Sequence, residues 1–465
     1  MYFEQFYLTC LAHASYMLGS QGEAAVIDPQ RDVAIYLEAA EEKGLRIRHI
    51  FETHLHADFV SGHKELAART GATIHIGAQA NAGFPHSALR DGSEVGMGSL
   101  RIRALETPGH TAESVCLVVT DSEQSPDPWC VLTGDTLFIG DVGRPDLSPR
   151  HTPQELGGLL YDSLHQKLLR LPDSTLVYPA HGAGSLCGRS MRNERSSTIG
   201  TERLTNYALQ IASREEFILQ VTSNLPARPG YFLQDAEINR SGAEPLLDRP
   251  PLPELTPQQV QALLAGRANV VDVRPPDEFA ASHIAGAISI PLSGQFATWA
   301  GTILGLSSKP ALVAETDAQI EEANLRLSRV GIEDVRGYLA GGPAAWRKAG
   351  LPLESTASIS AEELHRRLRE GGVRVLDVRR NGEWDAGHIA GARNHALDNF
   401  PQGLPAVDDS QPLAVHCKSG YRSTVACSLL QRAGHRNVLN LTGGFDAWHA
   451  AGLPEASGQL ATIDK

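Results

Sequence analysis

The sequence has no apolar stretch approaching the ~20 residues a helix needs to cross a bilayer, so no membrane partner is expected. It also lacks a long basic run, and its formal net charge is −13. That balance argues against nucleic acid or anionic membrane as a main partner. No basic region opens the chain: MYFEQFYLTC carries an acid and reads as a first strand rather than a signal peptide. Cysteine is sparse. Cys10, Cys116, Cys130, Cys187, Cys417 and Cys427 are scattered without a CxxC pair, which excludes a small disulfide scaffold and fits reduced thiols in a cytoplasmic protein. Cys116 and Cys130 lie inside apolar strand-like runs and are expected to be core residues.

What is present is enough for two to four domains: 465 residues, 42% hydrophobic and 20% charged. Residues 1–235 alternate short β runs such as EAAVID, RIRHIFETH, SVCLVVT and STLVYPAH with helical segments such as SGHKELAARTG, which stops at a glycine. Residues 236–253 are proline-rich and aperiodic and read as a linker. Beyond them the chain repeats itself. VVDVRPPDEFAASHIAGA returns as VLDVRRNGEWDAGHIAGA, and LAGGPAAWRKAGLPLE as LTGGFDAWHAAGLPEA. The offset is 105 between Asp272 and Asp377 but 102 between Trp346 and Trp448. The second copy is therefore three residues shorter after HIAGA, where the first has SGQFATWAGTILGLSS. Two copies at this period give two domains, 254–354 and 355–465, each a small parallel α/β sheet.

Four pieces of the first domain carry chemistry: THLHADF with His54, His56 and Asp58, PGHT with His110, TGDTLF with Asp135, and YPAHG with His181. Each is associated with an apolar strand-like run, so a sheet can gather them on one rim. Imidazole and carboxylate donors suit iron, zinc and manganese. One HxH is a weak signal; four pieces in this order are a strong one.

The set resembles the metallo-β-lactamase superfamily over essentially all of residues 1–200. This implies an α/β fold of the αββα sandwich type. The superfamily's full pattern, HxHxDH, supports two metals, and here Phe59 stands in the last position. Phenylalanine cannot donate to a metal, so the second site loses a ligand. GDTLFIGDVGRPDL with Arg144, YPAHG with Tyr178, and STIGTERLTNYAL further resemble the persulfide dioxygenase subgroup. That resemblance implies one Fe(II) per chain on His54, His110 and Asp135. His56, Asp58 and His181 then either orient ligands and substrate or are relics of the second site. Arg144 and Tyr178 are expected near the substrate. Cys187, in HGAGSLCGRS beside Arg189, is either a thiolate-prone persulfide acceptor or a small turn residue; fusions of this subgroup with rhodanese domains carry a cysteine in this loop. His13, His63, His75 and His86 have no motif context and read as surface or core histidines.

In the second repeat, PLAVHCKSGYRS places Cys417 between a strand and a helix start, where converging amides and Arg422 favour a thiolate that can carry sulfane sulfur. An unperturbed thiol, with a pKa of about 8.5, is only a minor fraction ionised near neutral pH. DVR, GHIAGA, the Cys417 loop and GGFDAW resemble the rhodanese sulfurtransferases over about residues 356–455. The offset of 102 sets Glu315 at the position of Cys417, without the glycine or arginine, so the first repeat reads as an inactive rhodanese that spaces or positions the second. Cys427 reads as core.

Together the resemblances imply oxidation of a low-molecular-weight thiol persulfide, such as glutathione persulfide, with O2 to sulfite. Rhodanese transfer then either makes thiosulfate or feeds persulfide to the iron. A homodimer is implied by resemblance alone. Two other readings stay open: a glyoxalase II-like thioester hydrolase using metal-activated water, and a non-catalytic sulfur carrier acting through Cys417.

Overall fold

The computed structural model describes residues 1–223, 225, 227–407 and 410–458; the end of the 355–465 segment lies outside the described residues. Two compact units result: 1–250 with 328–331, and 251–327 with 332–465.

The first unit is built on two six-stranded sheets whose strands neighbour one another in chain order. One holds Tyr2–Leu8, His13–Ser20, Glu23–Ile27, Arg46–Glu52, Thr73–Gly77 and Ser87–Leu89. The other holds Glu94–Met97, Leu100–Glu106, Val115–Asp121, Cys130–Gly134, Leu176–Pro179 and Ser197–Thr198. Alternation along each strand splits its apolar residues between two cores. Tyr16, Leu18, Ile27, Phe51, Ile102, Leu117, Val119 and Leu132 meet between the sheets. Met17, Val26 and Ile50 face outward under the helices Ala34–Glu42 and His63–Thr70. Val118, Val131 and Val177 do the same under Pro153–Gln166 and Arg214–Thr222. The result is the expected αββα sandwich. Cys116 and Cys130 are fully buried, and burial pushes the Cys116 thiol up to about 11.

The segment read as a linker from residue 236 is helical at its start: Phe232–Ser241 forms a helix with Asn239 fully buried. The Asn239 amide N–H donates to the carbonyls of His56 and Phe59 (2.7 Å each), and its oxygen accepts from Ser61 N–H (2.7 Å). The sequence around Asn239 shows no amphipathic stripe because this helix is held by polar bonds to a distant loop.

The second unit contains two five-stranded parallel sheets of identical order. The first runs Glu254–Leu255, Gly337–Leu339, Ala311–Val313, Val270–Asp272, Ile288–Ser289. The second runs Ala357–Ile359, Val438–Leu441, Leu413–His416, Arg374–Asp377, Arg393–Asn394. The sequence repeat is thus a structural one. Among the described residues no helix is long and apolar enough to cross a membrane.

Candidate functional site

His54 lies one residue past strand Arg46–Glu52, and the intervening Thr53 fixes it. Thr53 N–H and O–H donate to the two Asp28 oxygens (2.7 and 2.9 Å), and its Oγ1 lies 3.0 Å from His54 Nδ1. With the hydroxyl proton on Asp28, Oγ1 accepts from Nδ1–H, which leaves the lone pair on Nε2. His110 reaches the same state differently: its Nδ1 lies 2.9 Å from the Arg144 carbonyl, which can only accept. The two Nε2 atoms are buried and have no hydrogen-bond partner. Asp135, just past Cys130–Gly134, sets Oδ2 at 3.8 Å from His54 Nε2 and 3.4 Å from His110 Nε2. Gly134 is left-handed at φ 51, and a Cβ there would sit 2.5 Å from Thr53 Oγ1; the ligand strand and the ligand-orienting hydroxyl meet because this residue has no side chain.

His54, His110 and Asp135, all buried, therefore bring three ligand atoms within 4.8 Å of one another. Burial holds both imidazoles below their ordinary value and so neutral. Burial alone would raise the Asp135 carboxyl, but His181, His54 and His110 overcome it and hold it well below the carboxylate range. Two directed imidazole lone pairs and one carboxylate, with nothing else to bond, fit a divalent metal.

The other sequence-derived residues fall into distinct places. His181 bridges two carboxylates: Nδ1 lies 2.7 Å from Asp135 Oδ1, and Nε2 lies 2.9 Å from Asp58 Oδ2. Burial opposes its charge, yet these partners raise its pKa well above the usual value. Asp58, His181 and Cys187 form a second group of donors, and Asp28, Glu52 and His56 a third. His56 Nε2 sits 3.1 Å from Asp28 Oδ1 and 3.5 Å from Glu52 Oε2. Phe59 is fully buried, with its ring 4.1 Å from that of His13 and 4.4 Å from that of His56.

One expectation needs correction and two are sharpened. Tyr178 is not at the pocket. Strand alternation puts it with Leu176 against the inter-sheet core, its ring 4.7 Å from Phe3 and 5.7 Å from Tyr16. The Arg144 guanidinium is engaged with Asp146 through Nε and Nη2 (2.6 and 2.8 Å), so the pocket uses its carbonyl. Of the two readings of Cys187, its burial favours the small turn residue. Cys187 is fully buried, and burial with the nearby Asp58 and Asp135 pushes its thiol well up. Arg189 donates instead to the Gln220 and Val221 carbonyls.

His13 was missed. It begins strand His13–Ser20, bridges to His181, and is fully buried with its ring 5.7 Å from His56 and 5.4 Å from His181. Asp28 had a legible signal, a carboxylate closing an apolar strand. His13 had none.

In the second unit, Cys417 directly follows strand Leu413–His416 and precedes helix Tyr421–Arg432. Gly420 N–H donates to Sγ (3.2 Å), and Ser423 Oγ lies 3.6 Å from it. Beneath the loop, Phe445 and Asp446 N–H donate to the Cys417 and Lys418 carbonyls (2.8 and 2.9 Å). A Cβ on Gly444 would meet those carbonyls at 2.6 and 2.5 Å, which accounts for the GGF motif. Arg422 is bidentate to Glu383 (2.6 and 2.8 Å), an arginine–carboxylate pair at the mouth of the loop. In the first repeat Glu315 occupies the Cys417 position and pairs with Arg274 (3.2 Å). Cys427 is fully buried and structural.

Comparison with known proteins follows this division. The metallo-beta-lactamase superfamily model matches residues 8–181, and the rhodanese-like domain model matches 256–349 and 360–451. A solved metallo-beta-lactamase from Staphylococcus aureus subsp. aureus COL is 31% identical, with TM-score 0.66, over 73% of this chain and 98% of that one. The chain belongs to the metallo-beta-lactamase superfamily and carries two rhodanese-like domains after the metallo domain. The mitochondrial persulfide dioxygenase ETHE1 of Bos taurus is 29% identical over 219 residues, 46% of this chain and 77% of the relative. A hydroxyacylglutathione hydrolase from Rhodospirillum rubrum is 35% identical over 164 residues, 34% of this chain and 57% of the relative.

Proposed function

We propose that the chain is a persulfide dioxygenase coupled to rhodanese sulfur transfer. One low-molecular-weight thiol persulfide, O2 and water give the parent thiol and sulfite. The observation that carries the reading is the pairing, in one chain, of two unpartnered imidazole nitrogens facing a carboxylate with a cysteine in an amide-lined sulfur-carrying loop. Similarity to ETHE1 supports the substrate class. His54, His110 and Asp135 would hold one iron(II), which supplies the redox chemistry joining O2 to the terminal sulfur.

The chain's own contribution is to hold protons and exclude water. Thr53 and the Arg144 carbonyl keep a proton at Nδ1 of each histidine and so keep Nε2 available. The Asp58–His181–Asp135 line holds one more proton, on the His181 ring beside Asp135. Phe59 seals one wall against solvent. At the second site Cys417 Sγ carries a sulfane sulfur. Attack by sulfite forms the new S–S bond of thiosulfate, breaks the Cys417 S–S bond, and returns the thiolate to the Gly420 amide. Glutathione persulfide is the substrate we favour. All six cysteines are free, and we place the reaction in the cytoplasm.

The test is anaerobic purification, a metal count, and O2 uptake with glutathione persulfide, with sulfite resolved from thiosulfate. Iron near one per chain and sulfite formation are expected. An iron-loaded sample that consumes no O2 with several thiol persulfides overturns the reading. A glyoxalase II-like hydrolase is favoured by two observations: the second donor group Asp58–His181–Cys187 and the hydroxyacylglutathione hydrolase relative. Two metals per chain with hydrolysis of S-lactoylglutathione would establish it instead.

A further inference from the structure

The helix Tyr421–Arg432, whose first turn forms the Cys417 loop, is held at three points by the first repeat. At its start the Tyr421 O–H donates to the Pro291 carbonyl (2.9 Å), and its ring lies against Gly294, where a Cβ would be 3.5 Å away. Midway, Ser428 Oγ accepts from Ser289 N–H (3.0 Å). At its end Arg432 donates to the carbonyls of Gly286, Arg267 and Ala268 (3.1, 3.0 and 3.1 Å).

The receiving segment is itself braced. Arg326, buried on the helix Asp317–Ser328, donates to the carbonyls of Leu292 and Gly294 (2.6 and 2.9 Å) with its guanidinium 5.5 Å from the Phe296 ring. This segment begins SGQFATWAGTILGLSS, the stretch by which the first copy is longer. The copies therefore differ in length where one of them grips the other. Position counts as well. Tyr421 directly follows Gly420, whose amide faces the Cys417 sulfur. The equivalent residue of the first repeat, Gln319, caps its own loop by accepting from Glu315 and Thr316 N–H (3.0 and 3.2 Å). Tyr421 instead sends its hydroxyl to the other repeat.

We propose that Tyr421 is a positioning residue for sulfur transfer, through which the catalytically silent repeat holds the Cys417 loop in its reactive geometry. This rests on the reading of Cys417 as the sulfur carrier. It assigns the first repeat a task that needs no chemistry of its own, namely a fixed wall for the start of the helix in the second.

The test uses the full-length protein and two variants. Y421F keeps the ring and removes the bond to Pro291. R326Q changes no residue of the second repeat and removes the guanidinium that holds the carbonyls of Leu292 and Gly294. Three quantities are measured: kcat and KM for thiosulfate-to-cyanide transfer, the pH midpoint of Cys417 alkylation by iodoacetamide, and O2 uptake with glutathione persulfide. Both variants are expected to lower kcat by roughly tenfold with little change in KM, and to shift the alkylation midpoint in the same direction. O2 uptake by the iron-loaded enzyme should be unchanged. If Y421F moves neither kcat nor the midpoint, the proposal is wrong. If Y421F moves them and R326Q does not, Tyr421 acts within its own repeat and the proposal is equally wrong. Should the wild type transfer no sulfur, the functional reading fails, while the alkylation profiles still decide this one.

Discussion

The two rhodanese-like repeats share a frame and differ in one loop. In both, an aromatic ring stacks on the histidine four residues later: Phe279 on His283 at 3.9 Å and 4°, Trp384 on His388 at 3.6 Å and 7°. Each has a buried Asp–Arg pair at the end of the strand beside its central one, Asp272–Arg274 and Asp377–Arg379. Each ties a tryptophan N–H to a carbonyl six residues on, Trp346 to Pro352 and Trp448 to Pro454 (2.9 and 3.1 Å). The loops diverge. One carries Cys417, Gly420 and Arg422; the other carries Glu315, Ala318 and Ile320 at the matching positions. Packing thus preserves the frame while the loop residues differ, because removing a buried ring or half of a buried ion pair costs several kcal/mol, whereas a loop residue can change at little cost to stability.

The largest effect should come from the loop. Cys417→Ser is expected to lower thiosulfate-to-cyanide transfer by on the order of 10³ or more, and adding Glu315→Cys should restore nothing. Transfer by that double variant would break the contrast between the repeats. In the metallo domain, outside both repeats, Thr53→Val removes the acceptor for His54 Nδ1–H. Metal affinity should fall by about 10–100-fold, read by competition with a chelator, while transfer at Cys417 is unaffected.

The frame can be tested with matched substitutions. Asp377→Ala leaves Arg379 buried and uncompensated, for a loss of about 3–5 kcal/mol. Asp272→Ala should cost less, because Arg274 retains Glu315; urea denaturation compares the two. Next come Gly444→Ala and Gly342→Ala, each forcing a Cβ to 2.5 Å from a carbonyl at positive φ. Each should cost roughly 1–3 kcal/mol, and only Gly444→Ala, which pushes on the Cys417 and Lys418 carbonyls, should also reduce transfer.

The smallest effect is one of pH. Burial would raise the Glu383 carboxyl, but Arg422 overcomes it and holds the folded pKa below the ordinary value. The stabilisation is therefore complete above the unfolded pKa, about 4.3, and is lost as pH falls through the folded one. Its size is at most about 1 kcal/mol after solvent screening. Glu383→Gln should flatten the acid limb of the stability curve, and a curve that does not change would show that the pair contributes nothing.

Much of the fold and the centre of each site were legible in the sequence, because the information is local. Motif pieces next to strands gave His54, His110, Asp135 and Cys417, and the shifted offset gave both repeats and the loss at Glu315. What escaped depends on pairing and parity. Tyr178 lies close to His181 in sequence, but it is on a strand, and alternation turns it to the inter-sheet core. His13 joins the pocket only through an antiparallel bridge to His181, far along the chain. Cys187 looked electropositive beside Arg189 because a sequence does not show that the guanidinium turns to other carbonyls. The helix at 232–241 was obscured because the bonds that fix it belong to the HxHxD loop.

That last feature determines where the chain can be cut. A metallo domain ended at residue 235 would lose Asn239 and leave the His56 and Phe59 carbonyls and the Ser61 amide without partners inside the pocket wall. Glu65 would likewise lose the Leu246 and Leu247 amides it now binds (2.8 and 2.9 Å). A fragment ending at Pro250 keeps both sets. The boundary that looks natural in composition is thus about fifteen residues short of the one that the hydrogen bonds of the HxHxD loop require.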